Sequence, residues 1–335
     1  MSELFDRGGL LRRAGAVALS AAGAKPFLQA HPRWRFVFVN HATTNPFFVP
    51  ARYGIADACS IFGVEADWTG SQRSDVGEMV DAMRRAIRSG ADGIAVSVID
   101  PVLFNRPTAE ALDHGIPVVS YNADGGVGNR RLAYVGQDLY QSGLKFGARI
   151  AELVGEGDVF LFIATPGQLN IQPRVDGARD AIHDSGKPIT AHVVATGAEV
   201  ARERALIEQT YLANRKLRGM FAVDGGSTQG VAEVMRAHGL HRHGVHAGGY
   251  DLLPGTLEAI ADGRLDFTID QQPYLQGFVP IEQLFLNRYS GGLVSPAETN
   301  TGLKFVTRAD VRKYLTTRTR YEGSSSARRY PVGGP

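Results

Sequence analysis

Cysteine is all but missing from this chain of 335 residues: Cys59 stands alone. A single thiol closes no intrachain disulfide, and with no CxxC spacing and no histidine partner it resembles neither a redox pair nor a thiolate nucleophile. Within YGIADACSIFG, Ile55, Cys59 and Phe62 fall at helical spacing, so the thiol is expected to be buried and structural. A surplus of charge is missing as well. The 36 Lys and Arg oppose 34 Asp and Glu, a formal net charge of +2. With the basic residues spread evenly, this excludes the cationic face that a nucleic acid or an anionic membrane surface needs. Glycine is plentiful, but there is no Gx4GK[ST] and no GxGxxG after the first apolar run, so a nucleotide held on a glycine-rich turn has no physical basis. No cofactor is expected.

With 44% hydrophobic and 21% charged residues the chain can bury a large core, and its length suits two domains better than one. The start, MSELFDRGGLLRRAGAVALSAAGAKPF, places Arg7, Arg12 and Arg13 ahead of a short Ala, Val, Leu and Gly run and then Ala22-Gly23-Ala24. That order fits a signal peptide over 1–24, and the apolar run falls far short of the roughly 20 residues that span a bilayer. Export by the general or the twin-arginine route is left open. The far end, YEGSSSARRYPVGGP, is small, polar and rich in Pro and Gly, which predicts a solvated, flexible tail over 321–335.

From Trp34 onward, apolar runs of five to seven residues alternate with amphipathic stretches. WRFVFVN, the segment near Val64–Trp68, GIAVSVI, IPVVSYN and LAYVG read as strands, and Val76, Met79, Val80, Met83 and Ile87 keep one helical face apolar between them. The alternation restarts with DVFLFIAT and continues through ITAHVVAT, GMFAVDGG, GVHAGGYD, DFTIDQQ and GLKFVT. Two such blocks predict an α/β chain of two doubly wound, parallel-sheet lobes. Ligands of such sheets bind beyond the carboxyl ends of the strands. The residues following the apolar runs are Asn45 to Phe48, Trp68, Asp100, Asn122 to Asp124, Gln137, Asn170 to Arg174, Asp224, Tyr250-Asp251 and Gln271. Asp100 is read as a helix cap and Trp68 as packing; the rest are amides, carboxylates, aromatics and one arginine.

Three catalytic or metal-binding readings are weaker than their bland alternatives. Gly225-Gly226-Ser227-Thr228-Gln229 resembles a nucleophile elbow, but Gln229 occupies the place of the second glycine, so Ser227 or Thr228 is expected to cap a helix. His238, His241, His243 and His246 could supply zinc ligands, yet they lie between a helix and a strand at the end of the sheet opposite the crevice, and a solvated connection is expected. Asp224 and Asp251 could work as an acid–base pair, but accepting hydrogen bonds from ligand hydroxyls suits them better. Carboxylates, amides and an arginine with aromatic faces match a polyhydroxylated ligand.

Asn45-Pro46-Phe47-Phe48, IPVVSYNAD, AYVGQD, QPRVDG, FAVDGG, GGYD and TIDQQP follow one another in the order and approximate spacing of the type I periplasmic sugar-binding proteins, the ribose-binding-protein-like receptors of ABC importers. The resemblance spans about 34–306. It implies two lobes joined by a three-crossing hinge near 136–138, 270–272 and 300–302, the first lobe from 34–136 plus 272–301 and the second from 137–271 plus 302–320. It implies a ligand set of Asn45, Phe47, Phe48, Asn122, Asp124, Gln137, Asn170, Arg174, Asp224, Tyr250, Asp251 and Gln271, with Tyr274 nearby and one of the two phenylalanines in the core. Asn122 stands where ribose binders carry aspartate, Ala123 on their neighbouring arginine, and Asp224 on a common asparagine, so the sugar itself is left open.

The implied function is capture of a monosaccharide or polyol outside the cytoplasmic membrane by a monomer that delivers it to a membrane permease. No covalent chemistry, metal or nucleic acid is implied. The alternatives are a sugar-sensing receptor or a carbohydrate-acting enzyme on the same fold. A regulator of the lactose-repressor kind would need a helix-turn-helix where this chain carries its export-like start.

Overall fold

The computed structural model describes residues 30–197, 199–293 and 296–316. The expected signal peptide and tail lie outside the described residues. Six strands form the first sheet: β1 (Arg35–Asn40), β2 (Glu65–Gly70), β3 (Gly93–Val96), β4 (Val118–Tyr121), β5 (Ala133–Gly136) and, from near the chain's end, β11 (Glu298–Asn300). Their order is β11-β5-β4-β3-β1-β2, and all pairings are parallel. Strand β1 buries both faces, as a doubly wound sheet requires. Phe36 and Phe38 pack with Tyr121 and Phe285 on one side, and Val37 and Val39 with Met79, Met83 and Phe104 on the other.

The second sheet takes β6 (Gly157–Ile163), β7 (Ile189–Ala195), β8 (Gly219–Ala222), β9 (His246–Tyr250), β10 (Phe267–Asp270) and β12 (Lys304–Thr307), in the order β12-β10-β9-β8-β6-β7. Here the parallel expectation needs one correction. Strand β12 runs antiparallel to β10, because the chain returns directly from β11 in the other sheet with no helix to reverse it.

Two pairs of helices brace the lobes from outside, and both cross at glycines. Helix α1 (Val49–Phe62) meets α9 (Pro273–Ser290) so closely that a methyl group at Gly54 would fall on the Tyr274 carbonyl, and one at Gly277 on the Ala51 carbonyl. In the second lobe α4 (Leu139–Val154) meets α5 (Gln172–Asp184) in the same way, with Gly143 against the backbone of Arg174 and Gly147 against that of Ala178. The first crossing ties a helix from late in the chain to the first lobe. The second fixes where Arg174, two residues into α5, can lie.

Three segments pass between the sheets: Gln137-Asp138 after β5, Gln271-Gln272 after β10, and 301–303 between β11 and β12. They are laced together. The Thr301 amide donates to the Gly136 carbonyl, the Thr301 hydroxyl to the Gln271 carbonyl at 2.8 Å, and the Gln137 side-chain amide to the Gly302 carbonyl at 3.1 Å. Asp138 then caps α4 by accepting from the Gln141 amide.

Replacing Gly277 with alanine forces a methyl group into backbone at the α1–α9 crossing. It should lower unfolding free energy by about 1–3 kcal/mol, read as a fall in the denaturant midpoint. An unchanged midpoint would mean that the helices can part without cost.

Candidate functional site

The carboxyl ends of both sheets open onto one cavity of about 620 Å³. On the first-lobe side its wall is built from the turn after β1. Asn40 ends the strand buried, its amide donating to the Tyr121 hydroxyl at 2.8 Å and its carbonyl oxygen Oδ1 accepting from the Ala42 amide. Asn45 then caps the short 3-10 turn Pro46–Phe48, accepting from the Phe47 amide at 2.9 Å. Phe47 and Phe48 stand edge to face, ring centres 4.7 Å apart. Trp68 packs against Phe48 and donates from Nε1 to the Thr43 carbonyl, which pins the turn to the neighbouring strand. One phenylalanine was expected in the core and one on the cleft. Both are buried, and both line the cavity.

On the second-lobe side the central group is Arg174, 2% exposed. Its Nη1 donates to the Val223 carbonyl at 2.8 Å, its Nη2 to Gln137 Oε1 at 3.3 Å, and the guanidinium lies 4.1 Å from the centre of the Tyr250 ring. Its Nε is buried without a partner. Asp251 holds a left-handed backbone, φ +73°, and accepts from the Gln271 side chain at 2.7 Å. Burial pushes its carboxyl up to about 6, and the positive charge of Arg174 and the bond from Gln271 offset part of that rise. Asn122, also left-handed at φ +65°, donates to Gln276, and Gln276 donates to Gln271. A chain of amides thus runs from Asn122 in the first lobe to Asp251 in the second. Asp224 caps α7 (Gly225–His238), accepting from the Ser227 and Ala164 amides at 2.9 Å each.

Nine of the twelve expected residues border the cavity: Asn45, Phe47, Phe48, Asn122, Asn170, Arg174, Asp224, Asp251 and Gln271. Three do not, and each has a reason. Asp124 turns away to Arg131, which holds both its oxygens, and to the Ser120 hydroxyl at 2.7 Å. Gln137 is spent between Arg174 and Gly302. Tyr250 is fully buried beneath Arg174, with its hydroxyl on Ser142 at 2.7 Å. Gln137 and Tyr250 both hold the arginine. Tyr274 bonds to Asp57 and lies outside the cavity.

The cavity also takes in residues that sequence reading passed over. His41 directly follows β1 and belongs among strand-end residues, so the rule that found Asn45 could have found it. It is buried, its Nδ1 lies 2.9 Å from the Ser97 hydroxyl, and burial lowers its imidazole to about 4. Its Nε2 lies 3.4 Å from the side-chain amide of Asn170 in the other lobe, close to a direct interlobe bond from the Leu169 amide to the Ile99 carbonyl. Glu203, the fourth residue of α6 (Val200–Ala213), lines the cavity from a helix rather than a strand end, so no strand-based signal pointed to it. The elbow-like turn is capped by Asp224, not by Ser227 or Thr228, and the Ser227 hydroxyl meets Thr196 at 2.8 Å. His238 pairs with Glu208 and His246 with Asp266, and among the described residues no cluster of three or more His, Cys, Asp or Glu could hold a metal ion.

The match to known proteins is broad. A model of the periplasmic binding protein domain covers residues 36–287. A xylose/arabinose-binding protein of Sulfolobus acidocaldarius is 51% identical over 311 residues, 89% of this chain and 76% of that protein. This chain belongs to the periplasmic binding protein family. A ribose import binding protein of Bacillus subtilis is 24% identical over 241 residues, 71% of this chain and 76% of that one. The fold superposes with a TM-score of 0.80 on an ABC transporter solute-binding protein of Burkholderia graminis solved with D-arabinose, at 24% identity, covering 86% of this chain and 99% of that one. No described helix is long and apolar enough to cross a membrane.

The buried acids make stability depend on pH. The Glu203 carboxyl is pushed up from 4.5 to about 8, by burial first and then by the charge of Asp224, which is itself raised by burial. A carboxyl that holds its proton more tightly folded than unfolded contributes stability that is full below the unfolded value and is lost as pH rises through the folded one. The ligand-free chain should therefore lose melting temperature between pH 5 and 9, and Glu203→Gln should flatten that slope. A variant with the wild-type slope would mean that Glu203 does not titrate in this window.

Proposed function

We propose that this chain is the extracytoplasmic receptor of an ABC importer, that it binds one monosaccharide or polyol between its lobes, and that an aldopentose is the first ligand to test. The observation that carries the reading is that buried Arg174, Asp251 and Gln271 line one cavity with Phe47 and Phe48. A guanidinium donor, a carboxylate acceptor and an amide fixed by protein partners suit a ring bearing hydroxyls on every side, and aromatic rings suit its C–H surfaces. The unpartnered Arg174 Nε and Asn170 Oδ1 supply one buried donor and one buried acceptor for such a ring. The name of the 51% identical relative, a xylose/arabinose-binding protein, supports pentoses over other sugars.

In this reading 34–136 with 272–301 and 137–271 with 302–320 move as two bodies about the three crossings, and ligand favours the closed arrangement because it bonds to both. Residues 1–24 direct export, the closed receptor acts as a monomer on its permease, and the sugar leaves chemically unchanged. Binding uses hydrogen bonds in a cleft whose partners are already in place, which limits the ordering cost.

A ligand that binds only the folded chain raises its melting temperature. Among xylose, arabinose, ribose, galactose and sugar alcohols, a pentose should give the largest rise, and a panel with no rise would count against sugar binding. Arg174→Ala should weaken that pentose by about 2 kcal/mol or more, since it strands acceptors in a buried site. Calorimetry showing wild-type affinity in the variant would remove Arg174 from the ligand set.

A further inference from the structure

Glu203 is the one acid in the cavity wall with a buried carboxylate oxygen that the surrounding protein leaves without a hydrogen bond. Asp251 is held by Gln271, and Asp224 by the Ser227 and Ala164 amides. Glu203 is as deeply placed, 3% exposed, yet its Oε2 is buried with no partner. Its position is built rather than accidental. A methyl group at Gly226 would overlap the Glu203 carboxyl, so the glycine at the second position of α7 is what lets that carboxyl rest on the helix's first turn, beside Asp224 and against the cavity.

We infer that Glu203 is a specificity-determining ligand contact that takes a hydroxyl of the sugar reaching past Asp224 toward α6; this rests on the sugar-binding reading above. A buried polar atom without a partner is costly, and a ligand hydroxyl supplies what the protein omits. The rest of the wall agrees. Gln229, Gly225 and Gly226 line the same cavity, and its other second-lobe carboxyls, Asp224 and Asp251, already hold protein donors. The ligand group is a hydroxyl rather than an ammonium. With its proton held up to about pH 8 by burial and by the neighbouring Asp224, the carboxyl both donates and accepts at neutral pH, and a hydroxyl does the same whereas an ammonium only donates.

The test is calorimetric titration of the wild-type chain, Glu203→Gln, Glu203→Ala and, as a control, Arg174→Ala, with the best-bound pentose and its monodeoxy derivatives, after melting curves confirm folding. Glu203→Ala should weaken the parent pentose at least tenfold, and Glu203→Gln, which keeps one donor and one acceptor, by no more than about threefold. One monodeoxy derivative should bind the wild-type chain at least tenfold more weakly than the parent sugar and be indifferent to Glu203→Ala. This last comparison includes an arm on unmodified protein, so it survives if the alanine variant does not fold. Parent-sugar affinity within twofold of wild type in Glu203→Ala, with Arg174→Ala impaired, would overturn the inference while leaving the sugar site standing. So would tighter binding of an amino sugar than of its hydroxyl counterpart. A wild-type chain that bound no sugar would instead defeat the parent reading, and Glu203's role with it.

Discussion

A guanidinium buried to 2% exposure is the constraint around which the second-lobe half of the cleft is arranged. A charge so placed is tolerable only with its donors matched, and the residues near Arg174 can be read as answers to that requirement. The Val223 carbonyl at the end of the β8 segment takes one donor, Gln137 from the first crossing takes another, and the Tyr250 ring lies under the guanidinium face. The close α4–α5 crossing at Gly143 sets the backbone from which Arg174 reaches inward. Because Gln137 belongs to a crossing, the arginine is tied both to its own sheet and to a segment that joins the two sheets. In the proposed reading, a group that meets the ligand and also touches a crossing is a direct route from binding to closure.

Backbone strain gathers in the same region. Ser74, Asn122, Asp251 and Gln272 are the non-glycine residues with left-handed φ among those described; the first three line the cavity and the fourth lies in a crossing. Such conformations persist where surrounding bonds over-determine them, and here the chain from Asn122 through Gln276 and Gln271 to Asp251 does so. Rotating one lobe against the other has to lengthen or re-form links in that chain. In the proposed two-body reading, the amides between the lobes therefore belong to the moving part.

Much of this was legible in the chain itself, for identifiable reasons. Alternating apolar runs and amphipathic stretches marked both sheets, since a doubly wound sheet buries its strands on both faces. The rule that ligands sit beyond strand ends pointed to Arg174, Asp251 and the Asn45–Phe48 turn, all of which line the cavity. What it could not see was which way a side chain turns once it leaves the strand. Asp124 meets Arg131, which the strand pattern does not reveal, and Tyr250 is drawn under Arg174 by a contact 76 residues apart in sequence. Glu203 was invisible for another reason: it enters the cavity from a helix, and only Gly226 on a different helix makes room for it. The return of β12 against β10 was equally hidden, because direction follows from the connection and not from the strand's own residues.

The central claim is that one sugar lies between Phe47-Phe48 and Arg174-Asp251. A crystal structure of the chain grown with saturating xylose or arabinose tests it most directly. The account predicts a single pentose in the cavity, its hydroxyls within hydrogen-bond distance of Arg174 and Asp251 and its C–H face against Phe47 or Phe48. A sugar bound elsewhere, or a cavity holding only water at saturating sugar, would contradict it.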